Sequence, residues 1–431
     1  MAAAGSAIGL GNIWRFPTVT GENGGAAFVI VYVAAVFLIG FPVMLAELAV
    51  GRKTRRNPVG AYTKLAPGSV WKLAGWLGVL TGMMILSYYS VVAGWTLKYV
   101  WIAMSGSLQG ASSQIISDTF NNFIQSPSSV LTCHLLFMIL TVWIVMGGIQ
   151  KGIERTTRVL MPLLFFLLLL LVLRSVTLPG ASKGLAFYLK PDFAKLNFTT
   201  ILEALGQAFF SLSLGMGAMI TYGSYLSRKE NLVSSALIVS SFDSFIAFLA
   251  GFAIFPALFS VPGLLPDVGS GLIFVVLPNI FNSIPLGNLF GMTFFILLAI
   301  AALTSSISLL EVVVAFAIDQ LKWSRQKAAL TIGSLVFLVG IPSALGNGAI
   351  SQLTGTLDIL DRYFGNFALV LGALVLSIFV GWKWGIKSAL AEIRHGNNNF
   401  RLGPIWGFLI RFTCPLAILT ILLKLLTKAD I

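Results

Sequence analysis

Two stretches of this 431-residue sequence combine glycine and small polar residues within apolar surroundings. Gly5 to Pro17 reads GSAIGLGNIWRFP, and Phe209 to Gly217 reads FFSLSLGMG. Both are apolar enough to lie in a bilayer, but their glycine and serine content predicts that neither remains a continuous helix. An interrupted helix leaves backbone N–H and C=O groups without partners in hydrocarbon, and a bound polar solute with bound cations would satisfy them. The two stretches therefore predict a solute site between two discontinuous helices.

Close packing between membrane helices is the simpler interpretation of these glycines. For Gly9 and Gly11 alone, packing and ligand binding explain the sequence about equally well. Asn12, Ser211 and Ser213 add polar side chains at corresponding places in the two stretches. This combination favours ligand binding.

Charged residues within apolar segments are further candidates for function. Asp243 lies in the segment SSFDSFIAFLAG, and Arg15 and Asp361 also lie within apolar segments. A charge within a bilayer is costly unless it is paired, so such residues are functional by default.

Enzyme chemistry finds little support in the sequence. There is no phosphate-binding glycine loop, and neither Ser211 nor Ser305 has a histidine nearby. Cys133 and Cys414 lie in separate apolar runs without metal-ligand spacing, which is typical of small core residues and not of a zinc site. We therefore predict no catalytic residues and no enzymatic activity.

The composition indicates which elements hold the candidate residues. Hydrophobic residues make up 57% of the chain and charged residues 10%, which is typical of an all-α polytopic protein in membrane lipid. The net charge of +13 could suggest a nucleic-acid partner. The basic residues are distributed over alternate loops, however, and this pattern indicates membrane topology instead.

Apolar runs of about twenty residues, the length that crosses a bilayer as helix, predict eleven spans in a single domain, 1–431. The predicted centres are Ile8, Leu38, Tyr88, Leu140, Leu167, Leu212, Phe248, Leu303, Val336, Val370 and Leu416. The interrupted stretches fall in spans 1 and 6. This spacing predicts two five-span repeats of opposite orientation, 1–178 and 196–382, followed by an extra C-terminal helix in 383–431.

The loop charges predict the orientation. The loop after span 2 is rich in Lys and Arg, whereas 106–127 and 262–285 contain neither. The positive-inside rule then places the N-terminus in the cytoplasm and, with an odd number of spans, the C-terminus outside. The basic residues in 178–195 are an exception to the pattern. No cleavable signal peptide is evident, and because only four residues precede Gly5, we expect that N-terminal residues were trimmed or are disordered.

The sequence resembles the neurotransmitter:sodium symporter family. GSAIGLGNIWRFP followed by ENGGAAF carries the resemblance, which continues in Tyr88-Tyr89, in GQAFFSLSLGMGAMITYGSY at 206–225, in LTSS at 303–306 and in 358–365. It covers essentially the whole chain and is closest to the bacterial amino-acid branch. It implies the LeuT-like fold, with helices 1 and 6 unwound at mid-membrane, in a bacterial inner membrane as a monomer or weak dimer.

The resemblance also implies two sodium sites, because a dehydrated Na⁺ requires about five or six oxygens. The first site would include the substrate carboxylate and oxygens of Ala7, Asn12, Ser211 and Asp243. The second would use oxygens of Gly5, Ile8, Ala301, Thr304 and Ser305. Back-bonding to a preceding carbonyl is the alternative role of the last two hydroxyls.

An amino acid is the substrate that the resemblance implies. Leu10 and Gly11, at a broken helix end, would hold its carboxylate together with Tyr89. Family members that carry monoamines have Asp where this chain has Gly9, and a glycine leaves room for a substrate that brings its own carboxylate. The ammonium group would be received by carbonyls of Ala7, Phe210 and Ser213.

The side-chain pocket that the resemblance implies is apolar. Met216 can adapt its shape, which predicts that aliphatic and aromatic side chains are both accepted, with Leu, Trp, Phe, Tyr, Ile, Val and Met as candidates. Residues of these types are more often ordinary core when they are considered alone. The pocket would consist of Ile85, Tyr89, Phe210, Met216, Ser305 and Leu309.

Asp243 departs from the family pattern, since many members carry Asn at its position. Ala247 stands where several bacterial members have an acid. Animal members bind chloride nearby, in a pocket that would be lined here by Tyr32, Gln207, Ser211 and Asp243. Our hypothesis is that the Asp243 carboxylate supplies the negative charge, so that chloride is not required. Counter-transport of a proton stays open.

Gates on both sides of the site are also implied by the resemblance. Arg15 and Asp361 would pair above an aromatic lid formed by Tyr89 and Phe210. On the cytoplasmic side, relatives use an N-terminal arginine to bind the aspartate that matches Asp319, near the tyrosine that matches Tyr225. This sequence lacks that arginine, so we expect Asp319 to have no partner and the inner gate to open readily.

Gly152 and Pro162 mark the beginning of span 5. In some bacterial members this spacing lets the cytoplasmic part of the helix unwind and admit water to the second sodium site. A loop end and a mild kink are the alternative explanation.

These expectations combine into one function: sodium-coupled symport of hydrophobic L-amino acids by alternating access, without chloride. The alternative from another class is an amino-acid sensor that does not transport, or a substrate-gated channel. Saturable and concentrative uptake separates these possibilities.

Overall fold

The computed structural model describes residues 2–260, 271–396 and 400–427, and within these ranges it contains helices, turns and loops but no strand. Nine helices in these ranges are long and apolar enough to cross a bilayer. They are span 2 (Ala26–Thr54), span 3 (Lys72–Ser105), span 4 (Pro127–Met146), span 5 (Ile149–Val176), span 7 (Leu232–Phe259), span 8 (Gly287–Leu321), span 9 (Arg325–Leu345), span 10 (Ser351–Arg394) and span 11 (Gly403–Leu426).

Spans 1 and 6 are the two that the structure interrupts. Span 1 consists of a helix at Ala2–Ala7, a wide π turn at Gly11–Arg15 and a helix at Phe16–Glu22. Span 6 consists of Phe198–Ser211 and Ala218–Tyr225. With the nine continuous helices, these give the eleven predicted spans, and both interruptions fall in the predicted stretches.

Backbone geometry explains why span 6 breaks where it does. Ser213, Gly215 and Gly217 all have positive φ, at 56°, 83° and 77°, which an α-helix cannot contain. A Cβ on Gly215 would also collide with the carbonyl oxygen of Leu369 in span 10. Glycine at position 215 therefore permits both the left-handed turn and the close approach of span 10.

The broken spans lie among the most buried helices. In spans 3 and 8, 78% of the most apolar stretch of 18 residues is buried inside the protein. The corresponding share is 22% in span 5 and 28% in span 11. Spans 3 and 8 therefore form the centre of the protein, while spans 5 and 11 turn mostly toward lipid. Shorter helices lie in the connections, at Pro58–Leu65, Ser113–Gln125, Ala181–Leu189 and Leu272–Asn282.

The two broken spans are the first members of the two predicted five-span repeats. The predicted loop between the repeats contains the short helix Ala181–Leu189 and a 3₁₀ turn at Phe193–Lys195. The repeat boundaries at 1–178, 196–382 and 383–431 stay predictions.

Candidate functional site

A cavity lies between the interruptions of spans 1 and 6. All the predicted substrate residues line it except Leu10. Ser6, Gly9, Ala218 and Ser308 also line it and were not predicted. Among the described residues, the lining consists of Ser6, Ala7, Gly9, Gly11, Ile85, Tyr89, Phe210, Ser211, Ser213, Met216, Ala218, Ser305, Ser308 and Leu309.

One end of this cavity is polar because the span 1 helix stops there. The Leu10 N–H donates to the Tyr89 hydroxyl at 3.3 Å, so Leu10 contributes its backbone although its side chain does not line the cavity. The Ser213 hydroxyl donates to the Ser6 carbonyl at 3.1 Å. A Cβ on Gly9 would collide with the Ser305 hydroxyl and lie 3.2 Å from the Tyr89 hydroxyl. Position 9 therefore has no room for a side chain.

Asp243 and its partners form a buried cluster beside the span 1 interruption. The Asn12 amide donates to the Asp243 carboxylate at 2.7 Å and to the Ser211 hydroxyl at 3.1 Å. Ser211 donates to the same carboxylate at 2.8 Å, and Tyr32 donates to its other oxygen at 3.1 Å. Asp243 is completely buried. The structure thus brings together Asn12, Ser211 and Asp243 of the first predicted sodium set.

The predicted chloride pocket coincides with part of this cluster. Tyr32, Ser211 and Asp243 are in direct contact. Gln207 contacts span 1 instead, because its amide donates to the Gly11 carbonyl at 2.9 Å. The Asp243 carboxylate therefore lies among the hydroxyl donors that could otherwise have held an anion.

Thr304 is the centre of the second predicted sodium set. Its hydroxyl lies 3.0 Å from the Ile8 carbonyl oxygen and 2.9 Å from the Ala301 carbonyl oxygen. A hydroxyl has a single proton to donate, so it serves one of these carbonyls at a time, and the contact with Ala301 is the back-bonding within span 8 that was the alternative expectation. Together with the Thr304 oxygen, the Ile8 carbonyl at the span 1 interruption offers oxygens of the kind that a hard cation binds. Ser305 donates instead to the Ser6 carbonyl at 3.4 Å, and Gly5 lies against the Thr157 side chain.

Glu47 is a site residue that the sequence analysis missed. It lies in span 2, is 1% exposed, and accepts a 2.7 Å hydrogen bond from the Gly215 N–H. It therefore holds part of the backbone that the interruption of span 6 leaves without a helical partner. Its position in the apolar run MLAELAV was the available signal, because an acid in such a run is seldom without function.

A second cavity, larger than the first, lies above it. Tyr89 and Phe210 line both cavities, so their rings lie between the two, and their role as a lid stays a prediction. We call the upper cavity the vestibule; it is lined by Leu10, Trp14, Arg15, Thr18, Val19, Glu22, Tyr88, Tyr89, Val92, Phe210, Leu357, Asp358 and Asp361.

Arg15 and Asp361 lie at the vestibule, but the expected direct ion pair between them does not form. Arg15 donates instead to the Asn366 side-chain oxygen at 2.7 Å. Asp361 accepts from the Tyr88 hydroxyl at 2.8 Å and from the Asn366 amide at 3.1 Å. Asn366 separates the two charges, so a direct Arg15–Asp361 pair is wrong for this structure.

Asp319 has a partner, contrary to expectation. Its carboxylate accepts from the Asn57 backbone N–H at 2.9 Å and from the Asn57 side-chain amide at 3.1 Å. Asn57 comes directly before the helix Pro58–Leu65. The expectation that Asp319 has no partner is therefore wrong, because the connection after span 2 supplies two donors.

Tyr225 contacts a different acid, Glu311 of span 8. Its hydroxyl donates to Glu311 at 2.7 Å, and Arg325 forms a bidentate ion pair with the same carboxylate. Arg325 also donates to the Val145 carbonyl at 2.8 Å. This network joins spans 4, 6, 8 and 9 below the cavity and was not predicted.

Span 5 is wound throughout in this structure. Gly152 lies in a π turn at Ile149–Glu154, where a Cβ would collide with the Ile144 carbonyl oxygen of span 4. Pro162 lies inside the following helix, Arg155–Val176. Their predicted role in unwinding concerns another state and stays a prediction.

Comparison with known proteins gives matches along the whole chain. The profile described as the sodium:neurotransmitter symporter family matches residues 1–125 and 118–430. The uncharacterized sodium-dependent transporter YhdH of Bacillus subtilis is 45% identical, over 99% of this chain and 95% of its own. An uncharacterized sodium-dependent transporter of Haemophilus influenzae is 40% identical, over 98% of this chain and 95% of its own.

A solved structure is similar as well. The crystal structure of MhsT in complex with L-phenylalanine superposes with a TM-score of 0.91 at 47% sequence identity. The match covers 98% of this chain and 97% of that one.

Proposed function

This chain belongs to the sodium:neurotransmitter symporter family, and we propose that it carries hydrophobic L-amino acids, both aliphatic and aromatic, by alternating access. It is a sodium-dependent transporter with multiple membrane spans. The observation that carries the proposal is the shape of the central cavity: a polar end formed by broken helices and an apolar remainder.

The polar end supports an amino acid as substrate. N–H groups at a broken helix end favour a carboxylate, and the Leu10 N–H and the Tyr89 hydroxyl lie 3.3 Å apart at this end, where a carboxylate would accept from both. Because position 9 has no room for an aspartate side chain, the carboxylate must come from the substrate. The L-phenylalanine in the MhsT crystal supports the same substrate class.

Sodium would be the driving ion at two sites. In the first, the substrate carboxylate would join oxygens of Asn12, Ser211 and Asp243, so that ion and substrate bind each other directly. In the second, the oxygens around Thr304 join spans 1 and 8. A cation bound there would hold the interrupted part of span 1 against span 8. Span 1 could then move away from span 8 only after the ion is released, so ion release and conformational change would be coupled.

Chloride would not be required. The Asp243 carboxylate already accepts hydrogen bonds from Tyr32, Ser211 and Asn12, so these donors are not free for chloride. An additional anion in contact with the carboxylate would also be repelled.

The vestibule would face the outside of the cell membrane, with the basic loops in the cytoplasm. Arg15, Asp361 and the aromatic lid would then form the outer gate. The Tyr225–Glu311–Arg325 network and the Asp319–Asn57 contact would close the inner gate.

Competition against bound radiolabelled L-phenylalanine tests the substrate class. In sodium medium we expect leucine, isoleucine, valine, methionine, tyrosine and tryptophan to compete. Phenethylamine, which has the same ring but no carboxylate, should not compete. Aspartate and lysine should fail because the cavity has no charged partner for their side chains. Phenethylamine competing as well as L-phenylalanine would contradict the carboxylate assignment.

Met216 predicts the size limit of the substrate. Phenylalanine at position 216 would fill part of the cavity, and overpacking of this kind costs about 1–3 kcal/mol. We expect Met216→Phe to weaken L-tryptophan binding about tenfold and to leave L-valine binding within about twofold. Met104→Phe is the matched control, since Met104 is 61% exposed and distant from the cavity lining. Equal weakening of both substrates by Met216→Phe would contradict the pocket assignment.

A further inference from the structure

Asn366 connects two gate residues that do not touch. Its side-chain oxygen accepts from Arg15 at 2.7 Å. Its amide nitrogen donates to the Asp361 carboxylate at 3.1 Å and to the Asp361 backbone carbonyl at the same distance. An amide is suited to this position because it accepts from a cation at one end and donates to an anion at the other.

The local backbone places Asn366 over Asp361. Residues Asp361–Ala368 form a π-helical segment. In an α-helix, a residue five positions on is rotated by about 140° from the starting residue, whereas the i→i+5 bonding of a π turn brings it back over that residue. A regular helix would therefore turn Asn366 away from Asp361.

Gly365 gives Asp361 the space that this arrangement needs. A Cβ on Gly365 would collide with both the Asp361 carboxylate and the Tyr88 hydroxyl. Tyr88 holds the second carboxylate oxygen at 2.8 Å. The Asp361 carboxylate is thus held by Tyr88 on one side and by Asn366 on the other. Because Asn366 also binds Arg15, the place of the carboxylate determines the place of Arg15.

Arg15 in turn covers the lid. Its guanidinium lies 4.4 Å from the centre of the Phe210 ring, a distance at which a cation–π attraction is effective. Its Nη1 is buried without a hydrogen-bond partner, and Asn366 is its hydrogen-bond partner among the described residues. The position of Arg15 over Phe210 therefore depends on Asn366.

We propose that Asn366 is a positioning residue of the outer gate. It binds the fixed Asp361 carboxylate and Arg15 at the same time, holds Arg15 over Phe210, and so keeps the lid closed. This deepens the gate assignment made in the proposed function. It differs from a direct ion pair because a neutral amide lies between the two charges, so the lid opens by breaking a hydrogen bond to an amide and not a contact between opposite charges.

A cysteine below the lid reports its opening without sodium or amino acid. Leu309 lines the cavity under Phe210, so Leu309→Cys, in a background with Cys133→Ala and Cys414→Ala, becomes accessible to a methanethiosulfonate reagent when the lid opens. The rate of modification is measured with a membrane-impermeant reagent added to the outside of sealed, right-side-out membrane vesicles in potassium medium, so that the reagent reaches the cavity only through the outer gate. Because no substrate is present, the result is independent of whether the substrate assignment is correct.

We expect Asn366→Ala and Arg15→Ala each to raise the modification rate about tenfold, the effect of losing a hydrogen bond to a charged group. The double variant should be no faster than Arg15→Ala alone, since both changes remove one connection. Asn366→Gln should restore the rate to within about threefold of the parent. Asn366→Leu, which keeps the size of the side chain but can neither accept from Arg15 nor donate to Asp361, should raise the rate as Asn366→Ala does.

Tyr363→Ala is the matched control, because Tyr363 is 58% exposed on the same π-helical segment, and it should leave the rate unchanged. Size-exclusion profiles establish that each variant is folded. If Asn366→Ala proves misfolded, Asn366→Leu and Asn366→Gln decide the question. Multiplicative effects in the double variant, or an unchanged rate in Asn366→Ala or Asn366→Leu, would overturn the proposal.

Discussion

Replacing Thr304 by valine is expected to abolish sodium-driven uptake at ordinary sodium concentrations. Valine has nearly the same shape but no oxygen to offer the cation, and the Ile8 and Ala301 carbonyls lose the hydroxyl between them. A lost contact to a charged group costs about 1.5–3 kcal/mol, so the sodium concentration for half-maximal binding should rise roughly 10- to 100-fold. Sodium titration of L-phenylalanine binding measures this shift.

Thr293→Val is the matched control for this substitution. Thr293 lies in the same span, is 6% exposed, and bonds back to the Leu289 carbonyl at 2.8 Å. The substitution Thr293→Val thus removes an equivalent hydroxyl from the same helix, at a position that does not line the cavity. If both variants shifted the sodium titration equally, the second sodium site would not be at Thr304.

The second large effect is expected at Asp243. Uptake by the unmodified protein should be the same when gluconate replaces chloride, since the carboxylate supplies the negative charge. Asp243→Asn keeps the shape but removes that charge from the donors Tyr32 and Ser211. We expect uptake by this variant to fall at least about tenfold in gluconate and to recover partly in chloride.

Asp118→Asn removes the same charge from the connecting helix Ser113–Gln125 and should change nothing. Chloride-dependent uptake by the unmodified protein would refute the hypothesis. Loss of uptake by Asp243→Asn in both media would show instead that the carboxylate acts mainly as a sodium ligand.

The sequence was sufficient to predict the spans and their interruptions. Long apolar runs must cross the bilayer as helix, and clustered glycines such as Gly215 and Gly217 adopt backbone angles that a helix excludes. The same reasoning drew attention to Asp243, because a carboxylate in an apolar span must be compensated.

Partner choice was harder to predict, because it depends on distances that only the folded chain defines. Arg15 and Asp361 line the same cavity, as expected for a common gate, but the π-helical register that inserts Asn366 between them leaves no clear trace in sequence. Asp319 finds Asn57 because the connection after span 2 folds back onto span 8. Glu47 reaches Gly215 across 168 residues, and a single sequence does not reveal such a contact.

Accumulation of radiolabelled L-phenylalanine in proteoliposomes with an inward sodium gradient tests the central claim most directly. We predict a transient accumulation above equilibrium that disappears when potassium replaces sodium, and that grows with an inside-negative potential, which adds about 2.3 kcal/mol per charge at 100 mV. Uptake that reaches equilibrium but never exceeds it would indicate a channel. Sodium-dependent binding without uptake would indicate a sensor, and either result would contradict the account.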